Sequence, residues 1–176
     1  ISSELIFNIK NSISSNSYKN FQTFNLNYQY INTFNDKKNS PTINLRSKIY
    51  VTSNNNIPIF AMEHMGGDEM VRGYEPQLSL NPEEVRNKLK FNNYIFGSIQ
   101  FEIPWFQKNS FNTNIIFFVD QAVGSNQNDS FNNKNRIIGY GFGYNIITKN
   151  KMQFDIHVGL NKYQNNVIHF MVKRNV

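Results

Sequence analysis

Cysteine is absent from the 176-residue chain, which removes disulfides and thiolate metal sites and leaves the redox compartment unread. Apolar residues are few: a hydrophobic content of 39% and a mean hydropathy of −0.52 do not promise a large dry core. No run of about 18 apolar residues occurs, so a transmembrane helix is excluded, but a membrane-crossing strand needs only about 9–11 alternating residues and escapes that test. Proline and glycine are also sparse, at 5 and 9 residues. The net charge of +6 could suit nucleic acid. Lys and Arg are scattered, however, with no basic run or helical stripe, and no nucleic-acid partner is expected. The chain opens at Ile1 with neither Met nor a signal peptide, and so reads as a fragment, a processed product or the ordered part of something longer.

Aromatics are plentiful, with 16 Phe and 9 Tyr, and asparagine is abundant throughout. Disordered chains are poor in aromatics. Many aromatics among many uncharged polar residues suit strands with one face in an apolar phase and the other in water.

Strict alternation recurs along the chain. Phe24, Leu26, Tyr28 and Tyr30 oppose Asn25, Asn27 and Gln29. Ile43, Leu45, Ile49 and Val51 oppose Asn44, Arg46 and Lys48. Ile95, Ile99, Phe101 and Ile103 oppose Ser98, Gln100 and Glu102; Ile138, Tyr140, Phe142 and Tyr144 oppose Gly139, Gly141 and Gly143. Met152, Phe154, Ile156, Val158 and Leu160 face away from Gln153, Asp155, His157 and Asn161. With weaker segments near 4–13, 112–120 and 166–174, the pattern predicts about eight strands, an even number as bacterial membrane barrels prefer. A soluble β-sandwich would alternate in the same way. Aromatics at strand edges, Tyr50, Trp105-Phe106 and Tyr163, fall where an interfacial girdle would lie and favour the membrane barrel.

One connection stands apart. The stretch of about 53–90 is too long for a hairpin and is expected to be functional. Inside it, Asn81-Pro82-Glu83-Glu84 reads as an N-cap, a first-turn proline and an acidic first turn, predicting a short helix near 82–89. The same stretch carries Gly66-Gly67-Asp68-Glu69-Met70-Val71-Arg72-Gly73-Tyr74. Its glycines permit a tight backbone presenting one arginine, with Gly73 allowing close approach to another surface.

That segment resembles the GG…(V/I)RG(F/Y) motif of the sixth loop in the outer-membrane assembly and secretion superfamily typified by BamA, TamA and the two-partner-secretion transporters. Further resemblances follow in order: Phe101-Glu102-Ile103-Pro104, Phe118-Val119-Asp120, the glycine-rich Gly139-Tyr140-Gly141-Phe142-Gly143, Met152-Gln153-Phe154-Asp155 and Ile168-His169-Phe170. Two departures stand out, Ala122 where the family has glycine and Val176 where bacterial members commonly end in Phe. The resemblance implies an all-β, transmembrane antiparallel barrel of about sixteen strands, with residues 1–176 its C-terminal half and the long loop folded into the lumen. Eight strands closed on themselves would have no room for such a loop, so the remaining strands would come from an upstream segment or a separate chain.

The resemblance also assigns roles. Gly66, Gly67, Val71, Arg72, Gly73 and Tyr74 would form a latch, with Glu102 and Asp120 as the lumen partners of Arg72. Alternation independently places both carboxylates on polar faces, and a buried guanidinium needs such partners. Val167, Ile168, Phe170 and Val172 would form the seam where last strand meets first. The implied function is insertion or translocation of polypeptides at a weakly paired strand edge. Expected partners are the upstream barrel half, unfolded outer-membrane clients, the lipid bilayer and accessory assembly subunits. The expected location is a bacterial outer membrane, with mitochondrial and plastid outer membranes as the other settings. The alternatives are a barrel anchor for a surface-displayed patatin-like phospholipase, whose active site would lie upstream, and a passive channel. Catalysis within this chain is not expected. His64, His157 and His169 are dispersed without metal-ligand spacing, no G-x-S-x-G elbow occurs, and no cofactor is implied.

Overall fold

The computed structural model describes residues 2–12, 21–34, 40–53, 57, 62–75, 89–108, 110–126, 131, 135–161 and 166–174, with only the backbone and the Ile6 side chain described in the first strand. Eight long strands form one antiparallel sheet: β1 (Ser2–Ser12), β2 (Phe21–Thr33), β3 (Thr42–Thr52), β6 (Asn93–Gln107), β7 (Phe111–Ser125), β8 (Arg136–Thr148), β9 (Met152–Asn161) and β10 (Asn166–Arg174). Their spatial order is their chain order, so each pairs with its sequence neighbour. The ladder runs from β1 to β10 without closing on itself. Two short strands, β4 (Glu63–His64) and β5 (Lys90–Phe91), pair as a separate ribbon within the long connection. The helix expected near 82–89 and Tyr163 both lie outside the described residues.

The eight strands follow from alternation, because a period of two puts like residues on one face. The register stacks these faces into rows. Leu160, Tyr140, Val119, Ile99, Leu45 and Tyr30 are successive partners across β9, β8, β7, β6, β3 and β2, and Val158, Phe142, Phe117, Phe101 and Ile43 form the next row. No other part of the described structure covers this apolar face: Ile99 is 56% exposed and Phe142 54%.

The opposite face is polar and covered. One of its rows reads Asn161, Gly139, Asp120, Ser98, Arg46, Gln29. The long connection lies on it, and the buried apolar cluster forms between the two from Tyr50, Met65, Met70, Val71, Tyr74, Phe91, Tyr94, Phe96, Ala122 and Ile137. Tyr50 therefore corrects the girdle expectation. It shares parity with Arg46 and Lys48, is buried, and stacks on Tyr94 with ring centroids 5.4 Å apart. Trp105 and Phe106 are exposed at a β-bulge near the end of β6.

The connections are unequal at the two ends of the sheet. The segments 34–41, 108–110 and 149–151 join strands at one end; the long connection of 53–92 emerges at the other.

Candidate functional site

Gly66 to Tyr74 folds into a compact pair of turns, held by Met70 N donating to Gly67 O at 3.2 Å, Val71 N to Met65 O at 3.0 Å and Tyr74 N to Val71 O at 3.4 Å. Gly66 and Val71 also form a parallel bridge. Val71 and Tyr74 bury their side chains in the apolar cluster, which turns Arg72 between them toward the polar face of the sheet.

Arg72 is 1% exposed and Asp120 is 0% exposed. Nε donates to Asp120 Oδ2 at 2.8 Å and Nη2 to Oδ1 at 2.9 Å, the parallel two-point geometry that planar guanidinium and carboxylate share. The backbone N of Arg72 also donates to Oδ2, at 3.0 Å, so one carboxylate grips both side chain and main chain. Nη1 reaches Gln100 Oε1 at 2.5 Å and Nη2 reaches Ser98 Oγ at 3.4 Å. The guanidinium carbon lies 3.7 Å from the Phe118 ring centroid, close enough for a cation–π contribution.

Glu102 is a correction to the expected partners. No direct Arg72–Glu102 contact occurs; Gln100 intervenes, donating through Nε2 to Glu102 Oε1 at 2.8 Å. Ser98, Gln100 and Glu102 are successive same-face residues on β6, spaced by about 7 Å. The guanidinium spans the first two and stops short of the third.

Glycine shapes the seat. The Arg72 carbonyl rests on Gly139, where a Cβ would stand 1.7 Å from its oxygen. Gly73 adopts φ 103, in the left-handed region, and a Cβ there would meet Leu160 O at 2.5 Å. Gly73 O accepts from Asn161 Nδ2 at 2.8 Å. The loop backbone is thus pressed against β8 and β9 while its arginine points at β7.

Two further tethers were not foreseen. Glu63 Oε2 receives Lys48 Nζ at 2.6 Å and the Tyr94 hydroxyl at 2.5 Å, fixing the loop's first short strand to β3 and β6. Asp68 Oδ1 lies 2.9 Å from His169 Nδ1 on β10, a distance suited to ion pairing although its angle misses a straight hydrogen bond. His169 faces His157 directly across the β9–β10 ladder. The signal was present in the spacing, since a hairpin that pairs Leu160 with Asn166 also pairs His157 with His169. On β10, Ile168, Phe170 and Val172 project from the uncovered apolar face and are exposed, whereas Val167 lies on the other face, half-buried.

Burial raises the Asp68 carboxyl pKa, but its contact with His169 and the positive charge of His157 and Arg72 outweigh this and leave it below the ordinary 3.8. A depressed carboxylate stabilises the folded form fully above its ordinary value, and that stabilisation is lost as pH falls through the lowered one. Protease protection of Gly66–Tyr74 is therefore expected to decline as pH drops below 3.8, and Asp68→Asn should remove that part of the decline. An unchanged acid profile in Asp68→Asn would rule the contact out as its cause.

No protein-family model matches the chain, and no curated protein is detectably similar to it.

Proposed function

We propose that this chain is the C-terminal half of an outer-membrane β-barrel that inserts or translocates polypeptides, with Arg72 latching a lumen-inserted loop to the barrel wall. The observation that carries this reading is the burial of a cationic loop residue on Asp120 of a polar, covered sheet face, while the opposite face of the same strands is apolar and uncovered. Soluble proteins rarely leave so continuous an apolar surface open, and in a bilayer that surface is the one expected to meet lipid. Strands of 9 to 15 residues reach across a hydrocarbon layer when tilted. Tight turns at 108–110 and 149–151 on one end and the long connection of 53–92 on the other are in keeping with the two sides of such barrels.

Both β1 and β10 keep one backbone edge unpaired by any described strand. In lipid such edges require partners, supplied on this reading by the other barrel half. The seam at β10 would open to offer its edge to a client strand, as in strand addition generally. The test is a disulfide lock. The chain has no cysteine, so a Cys introduced at Val167 or Val172 can be paired with one in the barrel's first strand. Quantitative locking is expected to stop client assembly while the barrel stays folded, and full activity in the locked barrel would refute edge templating.

A further inference from the structure

At the short-connection end of the sheet, two neighbouring turns stand side by side. Lys149 N donates to Ser110 O at 2.9 Å, joining residues 149–151 to the turn after β6. Between them opens a cleft of about 690 Å³, lined by Lys108, Ser110, Phe111, Ile147, Thr148 and Lys149. Lys108 and Lys149 are both exposed, and Lys151 stands exposed in the second turn.

Among the described residues the charge here is one-sided: the carboxylates toward this end are Glu102 and Asp155, which belong to the loop-covered face. Asp155 is buried and bonded to Asn145 and Gln153. Neither forms an ion pair with these lysines. Lys151 holds φ 61, a left-handed conformation that glycine or asparagine would adopt with less strain. Beside the lysines stand aromatics. The register shift between Pro104 and Phe106 leaves Trp105 as an extra residue at a bulge, 69% exposed next to the 43% exposed Phe106. The Lys108 ammonium lies 5.4 Å from the Phe106 ring centroid and the Phe111 ring 5.9 Å from it.

A polar cleft carrying two ammonium groups, bordered by rings that suit the depth where acyl chains meet headgroups, has the chemistry to receive a phosphate ester attached to lipid. Trp105 and Phe106 set the depth; Lys108 and Lys149 supply the charge. We infer that the cleft between the 108–110 and 149–151 turns binds the headgroup of an anionic phospholipid in the leaflet facing the short connections, held by Lys108 and Lys149 with Lys151 at its rim. This rests on the membrane-barrel reading and adds to it a lipid class and a leaflet.

Trp105 is the single tryptophan of the chain and reports on the site directly. The assembled barrel is reconstituted in vesicles containing brominated phosphatidylglycerol or brominated phosphatidylcholine, and the Trp105 signal is taken as the difference from a Trp105→Phe protein. Phosphatidylglycerol is expected to compete for the Trp105 neighbourhood at least about threefold better at low salt. The preference should fall to parity in Lys108→Gln/Lys149→Gln/Lys151→Gln and return in the corresponding triple Arg variant. Equal quenching by both lipids in the unaltered protein would overturn the headgroup site while leaving the barrel reading intact. Preference abolished by inorganic phosphate but kept in chloride of the same ionic strength would assign the cleft to a free anion and overturn it likewise. Quenching by neither lipid would overturn the membrane reading together with the site.

Discussion

Asp120→Asn is expected to release the loop while leaving the eight-stranded ladder in place. The substitution preserves shape but removes the charge that compensates a guanidinium 1% exposed, and an amide can accept through only one of its two heads. Three donors from Arg72 converge on this carboxylate. Breaking one partner of a buried pair costs about 3–5 kcal/mol, reduced here by whatever water reaches the site. The loss should fall on docking of residues 62–75, because the strands hold one another through backbone ladders that do not use the Asp120 side chain. Hydrogen exchange would read this as lost protection at Val71–Tyr74 with β6–β8 unchanged. Arg72→Ala should do the same. Arg72→Lys should restore only part, since an ammonium keeps the charge and forfeits the planar fork. Glu102→Gln supplies the contrast: Glu102 meets Arg72 only through Gln100 and should leave protection nearly intact. Protection unchanged in Asp120→Asn would show that the pair does not hold the loop.

Gly139→Ala is expected to expel the loop by a steric route. A Cβ at that position would stand 1.7 Å from the Arg72 carbonyl oxygen, an overlap that only movement of the loop backbone can relieve. Alanine suits a strand at least as well as glycine does, so β8 itself should not suffer. Inserted atoms in packed sites cost roughly 1–3 kcal/mol and occasionally more. The effect here should sit at or above that range because backbone, rather than a flexible side chain, is in the way. Gly97→Ala is the matched control, with nothing within 4 Å of the added carbon. If both alanine variants kept Val71–Tyr74 equally protected, close approach at Gly139 would not be what seats the loop.

Strict alternation located five of the eight long strands, because each carries enough like residues at a spacing of two for one face to declare itself; weaker segments near 4–13, 112–120 and 166–174 marked the other three. Alternation could not say which face the rest of the molecule covers. That depends on where the long connection lies, which no local pattern encodes. Tyr50 shows the limit: as an aromatic at a strand end it suited a girdle, yet its parity with Lys48 puts it beneath the loop. The meeting of Arg72 and Asp120 was legible because the R-G-Y resemblance named one partner and parity placed the other. The Gln100 relay to Glu102 was not, since it turns on how far a guanidinium reaches along one strand. Lys48, Glu63 and Tyr94 converge only after β4 docks, and a two-residue strand leaves no periodic trace in the sequence.

Every ladder of the large sheet except β3–β6 joins strands adjacent in the chain; β3 and β6 pair across the long connection. Contacts of short sequence separation lose little chain entropy as they form. The grip of Asp120 on Arg72 spans 48 positions, a separation like that bridged by the β3–β6 ladder, but it also needs β7, β8 and β9 already side by side, because the seat consists of Asp120, Gly139 and Asn161 together. Capture of the loop is accordingly a checkpoint on assembly. It can occur only on a wall whose register is correct, since a one-residue slip of β7 would turn Asp120 to the apolar side and present Val119 or Gln121 in its place.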